Sequence, residues 1–184
     1  MAIHPLVYEL QKLRESSKHA IAQATSYSLD EFSEYLHIER EVERNLRDHI
    51  KHCASKDEAQ LLLVCGNVGD GKSHILSYLN KELKEELNKF TIHNDATESH
   101  NPNESSNDTL HKLLEGFRDV NIDSSTDKIV LAINLGTLSK FFEEHEGDYG
   151  KLNKYVSSKK ILDTDVVHDD QFDENSSFQH VNFT

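Results

Sequence analysis

The residues of this chain best suited to chemistry stand together at Gly66-Asn67-Val68-Gly69-Asp70-Gly71-Lys72-Ser73, a match to G-x-x-x-x-G-K-[ST]. Each residue type there has a physical reason. Glycines permit positive φ and close backbone approach, so successive N–H groups can turn inward on a phosphate. A helix starting near Lys72 adds the positive end of its dipole. Lys72 is placed to reach the β- and γ-phosphates of a nucleotide, Ser73 to offer its hydroxyl to Mg2+, and His74 to follow them into the helix. From average residue usage, a chance match in a chain of this length is an event of roughly one percent or less.

Such a loop works with a carboxylate that holds Mg2+ through water or orients an attacking water. The usual place is the end of an apolar strand. The run Lys128 to Ile133 ends instead in Asn134, which can hydrogen-bond a γ-phosphate or a water but cannot act as a base. Asp95 closes the preceding apolar segment and Glu98 follows it. Asp95 is therefore a candidate Mg2+ ligand, and either acid is a candidate for the catalytic group. His49 and His52 stand three apart on an expected helix, but in a chain with twelve histidines such pairs are common.

The elements needed to hold this loop are legible around it. Leu61 to Cys65 is an unbroken apolar run, the pattern of a strand buried on both faces. Ile75, Leu76, Leu79, Leu83 and Leu87 then recur at helical spacing. A second strand is expected over Phe90 to His93, a loop over Thr97 to Asn107, a helix capped by Asp108 and carrying Leu110, Leu113, Leu114 and Phe117, and a third strand over Ile129 to Ile133. A helix with Leu138, Phe141 and Phe142 comes next. Past Gly147 the pattern weakens, although Phe178 to Phe183 alternates like one more strand. The alternation is that of an α/β fold, a P-loop NTPase-like parallel sheet flanked by helices. The first 58 residues read as a helical segment packing on this core, with Pro5 in a first turn, a capping box at Ser28 and Glu31, and Phe32, Leu36, Val42, Leu46 and Ile50 on one face. The core is expected over residues 59–184 and, because the pattern breaks off at Thr184, as a partial domain that binds nucleotide weakly or not at all by itself.

Composition narrows the function. The 184 residues carry 20 Lys and Arg against 33 Asp and Glu, a net charge of -13. A domain that grips DNA phosphates alone carries a basic face, so that role is excluded for this chain in isolation. No apolar run approaches the length of a membrane span, the N-terminus lacks a signal-peptide pattern, and Cys53 and Cys65 lack CxxC spacing, so a cytoplasmic chain without disulfides or a membrane contact is expected. Arg118 is the single arginine after Arg47, too few for the phosphate-gripping lid of a small-molecule kinase.

Five segments together carry a resemblance: SSKHAIA at Ser16 to Ala22, YLHIER at Tyr35 to Arg40, LLLVCGNVGDGKSHILSYL at Leu61 to Leu79, IHNDATES at Ile92 to Ser99, and VLAINLGTLSKF at Val130 to Phe141. They resemble the N-terminal part of the DptF family of DNA phosphorothioation-dependent restriction proteins. The resemblance implies a subunit that binds and hydrolyses ATP with Mg2+, works with the companion subunits DptG and DptH, and takes part in damaging DNA that lacks the phosphorothioate mark. DNA would be met through that complex rather than by this chain alone. Members of that family are longer than this chain. A different class of function stays open beside it, a nucleotide-gated interaction protein that binds ATP without useful hydrolysis, for which Asn134 in place of an acid is the main support.

Overall fold

The computed structural model describes residues 35, 37–94, 105–145, 147–163 and 170–183. The expected helix start at Pro5, the capping box at Ser28 and Glu31, and the acids Asp95 and Glu98 lie outside the described residues. Helix α1 spans Glu41–Ser55, strand β1 Gln60–Cys65, helix α2 Lys72–Glu82 and the short helix α3 Lys84–Leu87. Strand β2 (Thr91–His93), helix α4 (Ser106–Leu113) and a 3-10 turn at Glu115–Phe117 follow. Strand β3 (Lys128–Ile133), helices α5 (Leu135–Glu144) and α6 (Gly150–Ser158) and strand β4 (Phe178–Asn182) complete the order.

The four strands form one sheet in the order β2-β3-β1-β4, and every pairing is parallel. β1 lies inside, with Leu61 opposite Ile129 on one side and Phe178 on the other. Its residues alternate between two cores, as a doubly covered strand requires. Leu61, Leu63 and Cys65 enter the core closed by α4, α5 and α6, through Leu110, Phe141, Leu152 and Val156. Leu62 and Val64 enter the core closed by α1 and α2, through Leu46, Ile50, Ile75, Leu76 and Leu79. The chain passes from β1 to β2 over the α2 face and returns from β2 through β3 to β4 over the other. Opposite directions on opposite faces are what a single crossover hand demands of parallel strands.

Several expectations meet a different outcome. The apolar spacing through Phe32, Leu36 and Val42 predicts a continuous helix, yet residues 37–40 are not helical and α1 begins at Glu41, with Arg40 extended at φ −109°, ψ 159°. Tertiary contacts explain the break, because the Arg40 guanidinium is drawn to the Asp70 carbonyl at 2.8 Å and lies 5.2 Å from the centre of the Phe183 ring. The helix after the glycine loop is two helices, bent at Leu83 (φ −110°, ψ 41°), although all five of its periodic apolar residues are buried as expected. Asp108 is not the cap of α4. Ser105 is, its hydroxyl accepting from the Asp108 N–H at 3.1 Å while the Asp108 carboxylate accepts from the Ser105 N–H at 3.1 Å, so the helix starts inside the expected loop. Helix α6 was not anticipated. β4 falls where expected but is buried along its whole length rather than on alternate residues. Its polar side chains are accommodated: Gln179 bonds the Asp173 backbone in both directions, and His180 meets the Tyr155 hydroxyl at 3.0 Å. Among the described residues, no helix is long and apolar enough to cross a membrane.

Candidate functional site

β1 ends at Cys65, and the chain turns through Gly66–Gly71 directly into the first turn of α2. This puts the glycine loop beyond the carboxyl ends of the strands, where open α/β sheets present their ligand crevice. Gly71, the residue before the helix, has φ +86°, a left-handed conformation that glycine adopts without strain. Gly66 is needed for space: a Cβ there would stand 2.9 Å from the Phe183 Cβ and 2.9 Å from an Asp70 carboxylate oxygen. Asn67, Val68 and Gly69 form the exposed rim, with Val68 92% exposed at the tip.

Two charged side chains of the loop are turned inward. Lys72 folds back along it, its amine donating to the Gly66 carbonyl at 2.9 Å and the Asn67 carbonyl at 2.6 Å. The Asp70 carboxylate accepts from the Asn67 N–H at 2.5 Å, so an anion already sits on a backbone amide of the loop. That carboxylate does locally what a phosphate oxygen would do, and it opposes one electrostatically. At about 6 Å in a water-like dielectric, two unit charges repel by roughly 0.7 kcal/mol. Asp70→Asn keeps an oxygen for the Asn67 N–H and removes the charge. It is expected to tighten binding of a triphosphate about threefold or more, measured by titration calorimetry, and weaker binding would show that the carboxylate assists the ligand.

The surroundings were only partly foreseen. The Ser73 hydroxyl donates to Asn94 Oδ1 at 2.9 Å, which ties the start of α2 to the end of β2. Asn134 caps α5, its Oδ1 accepting from the Thr137 N–H at 2.7 Å, so the oxygen that would have faced a water is engaged in the fold. His74 Nε2 meets His37 Nδ1 at 3.1 Å, and the His37 ring stacks on Tyr78 at 3.8 Å and approaches the buried Glu43 carboxylate at 3.1 Å. Burial, then the neighbouring His37 and Arg40, holds His74 below the usual histidine range, so it stands in the first turn of α2 as a neutral ring. Arg40, Asn94 and Asp170 were missed by the sequence reading. Arg40 and Asn94 bind the loop and its helix as described, and an Asp170 carboxylate oxygen accepts from the Asn182 N–H at 3.2 Å, at the same end of the sheet. An asparagine after a strand and an arginine before a helix read as ordinary boundary residues, so no pattern marked them.

Other candidates resolve into structure. His49 is buried, its Nδ1 lies 2.6 Å from the Asn45 carbonyl, and the rings of His49 and His52 both pack on Phe172, at 5.4 and 4.8 Å. Cys53 and Cys65 are free and buried, and burial pushes each thiol up to about 12, which leaves them protonated and unreactive at neutral pH.

Fold and site together define an α/β protein with a four-stranded, all-parallel sheet flanked by helices and a glycine-rich loop at the carboxyl end of an inner strand. No family model, no curated protein and no solved structure matches the chain.

Proposed function

We propose that this chain is a P-loop ATPase subunit of a bacterial DNA phosphorothioation-dependent restriction system, cytoplasmic, acting with DptG and DptH against DNA that lacks the phosphorothioate mark. One observation carries the nucleotide part: Gly66–Ser73 joins a doubly buried parallel strand to a helix, with an anion already held on a loop amide and a lysine folded over the loop. The restriction part rests on the resemblance of the five segments.

The residues present suit the ligands. Gly66 lets the start of the loop lie against Phe183 and Asp70, where no Cβ fits, and rotation of Lys72 away from the Gly66 and Asn67 carbonyls would carry its amine toward a β- or γ-phosphate. The Ser73 hydroxyl spends its proton on Asn94 Oδ1, so its lone pairs remain for a hard cation. Mg2+ keeps several waters and asks little more of the protein than that oxygen and the phosphates. Asp95, which follows Asn94 in the chain, is the acid we assign to Mg2+, and Asp95 or Glu98, three residues further on, is the one we assign to water activation. Asn67, Val68, Gly69, Asp70 and His74 complete the loop around the phosphates.

A loop of this kind recognises the β- and γ-phosphates rather than the base. Titrating the chain with Mg-ATP, Mg-ADP and AMP into the millimolar range should therefore give ATP and ADP well ahead of AMP. AMP binding as well as ATP would remove the phosphate loop from the reading. The commitment of Asn134 Oδ1 to a helix cap favours the second reading, ATP bound without useful turnover. Multiple-turnover phosphate release that stops when Mg2+ is removed separates the two.

A further inference from the structure

We propose that His111, His145 and Asp148 form a binding site for a divalent metal ion of the Zn2+ class, which staples the ends of α4 and α5 to the turn leading into α6. His111 lies in the last turn of α4, His145 is the C-cap of α5, and Asp148 sits in the turn before α6. One ring nitrogen from each histidine and one Asp148 carboxylate oxygen all lie within 4.8 Å of one another. The three residues are half-buried, so the site is partly withdrawn from water yet open enough for a solvent molecule to complete the coordination.

The arrangement around these atoms points to a ligand rather than to packing alone. His145 Nε2 is buried and has no hydrogen-bond partner, an arrangement that costs free energy unless something occupies the nitrogen. The rings of His111 and His145 stack at 4.4 Å with planes 12° apart, so the two imidazoles are already in contact, and a shared metal would turn them until their in-plane lone pairs converge. Tyr149 supplies the orienting contact that metal-bound histidines usually have. Its hydroxyl donates to the His111 carbonyl at 3.2 Å and so meets His111 Nδ1, 3.1 Å away, as an acceptor. That requires the proton on Nδ1 and leaves the lone pair of His111 on Nε2. Arg118 donates to one carboxylate oxygen of Asp148 at 2.8 Å, which fixes the carboxylate and leaves its other oxygen to a metal. Gly147, at φ +97°, makes the reversal that returns Asp148 toward His145.

Donor chemistry selects the metal. Two imidazole nitrogens and one carboxylate oxygen suit Zn2+ and its transition-metal neighbours, whereas Mg2+ and Ca2+ favour sets made wholly of oxygen. Zinc bonds of about 2.0–2.1 Å in a tetrahedron set ligand atoms about 3.3 Å apart, so side-chain rotations at a helix end and a turn have roughly 1.5 Å to close. The site is separate from the glycine loop: α5 starts beside the carboxyl end of β3, and its ten residues carry His145 about 15 Å away from that edge.

The test uses the full chain freed of metal by a chelator and titrated with Zn2+ against a chromogenic chelator. We expect one equivalent to bind and to raise the melting temperature, and Co2+ to give the visible spectrum of a tetrahedral site. His145→Ala and Asp148→Asn should each lower Zn2+ affinity at least tenfold with far-ultraviolet circular dichroism unchanged, while a His49→Ala, His52→Ala double variant should bind as the parent does. In the unaltered chain, Zn2+ should shield His111 and His145 from acylation by diethyl pyrocarbonate while other histidines continue to react, a readout that needs no variant to fold. No binding, binding undiminished in both single variants, or protection spread evenly over the histidines would overturn the proposal.

Discussion

Lys72→Ala is expected to weaken Mg-ATP binding by about tenfold to a hundredfold while leaving the fold in place. The amine donates to the Gly66 and Asn67 carbonyls. Both bonds lie at the half-buried to exposed rim, where water can replace the lost donor, so stability should fall by no more than about 1 kcal/mol. Against a bound triphosphate the same amine would make a charge-assisted bond worth about 1.5–3 kcal/mol, which converts to the stated loss of affinity. Calorimetric titration and a melting curve on the same preparation separate the two effects. Unchanged affinity would mean that nucleotide, if bound, does not sit in the loop.

The second large effect concerns stability. Phe141→Ala should cost about 3–5 kcal/mol, read as a drop of about 6–20 °C in melting temperature for a chain of this size. Phe141 is fully buried in the core that closes over Leu61, Leu63 and Leu131, and its ring lies 4.9 Å from both His145 and Tyr149 and 6.0 Å from Phe142. Those neighbours belong to α5 with its C-cap and to the turn that opens α6, and they cannot all collapse into the space left by the ring. Since whole domains are stable by about 5–15 kcal/mol, the variant approaches the limit of folding. Val120→Ala is the control. That side chain is 80% exposed and its loss should stay within about 0.5 kcal/mol. A change below about 1 kcal/mol at Phe141 would show that the α5 layer is not packed as described.

What the sequence revealed followed local chemistry. The run Leu61 to Cys65 announced an inner strand because both faces of β1 are covered, and the glycines with Lys72 announced the turn because backbone geometry there depends on residue type. Where partners distant in sequence decide the outcome, the pattern was silent or misleading. α1 starts late because Arg40 answers to Asp70 and Phe183 rather than to the helical stripe around it. α6 escaped notice although Leu152, Tyr155 and Val156 stand at helical spacing and are buried, because Lys, Asn and Ser dilute the stripe. β4 hides Gln179 and His180 by giving each a partner, which no alternation of apolar and polar residues expresses. The cluster of His111, His145 and Asp148 is made by the meeting of three elements. Ser105 outranks Asp108 as the cap of α4, although both are good capping residues, because Asp108 serves better three residues on as the reciprocal acceptor.

The pairing of β4 with β1 has a bearing on the order of events during folding. Leu61 and its partner Phe178 are 117 residues apart in sequence, and the Phe183 N–H reaches the Cys65 carbonyl at 2.9 Å just beyond the last paired residues. Contacts of such long span form slowly, after the local helices and the nearer strands have reduced the search. Phe183 is also the wall against which Gly66 rests. The glycine loop therefore acquires its final shape only when the last strand docks, so the chain can be compact and largely helical before its proposed phosphate cradle exists.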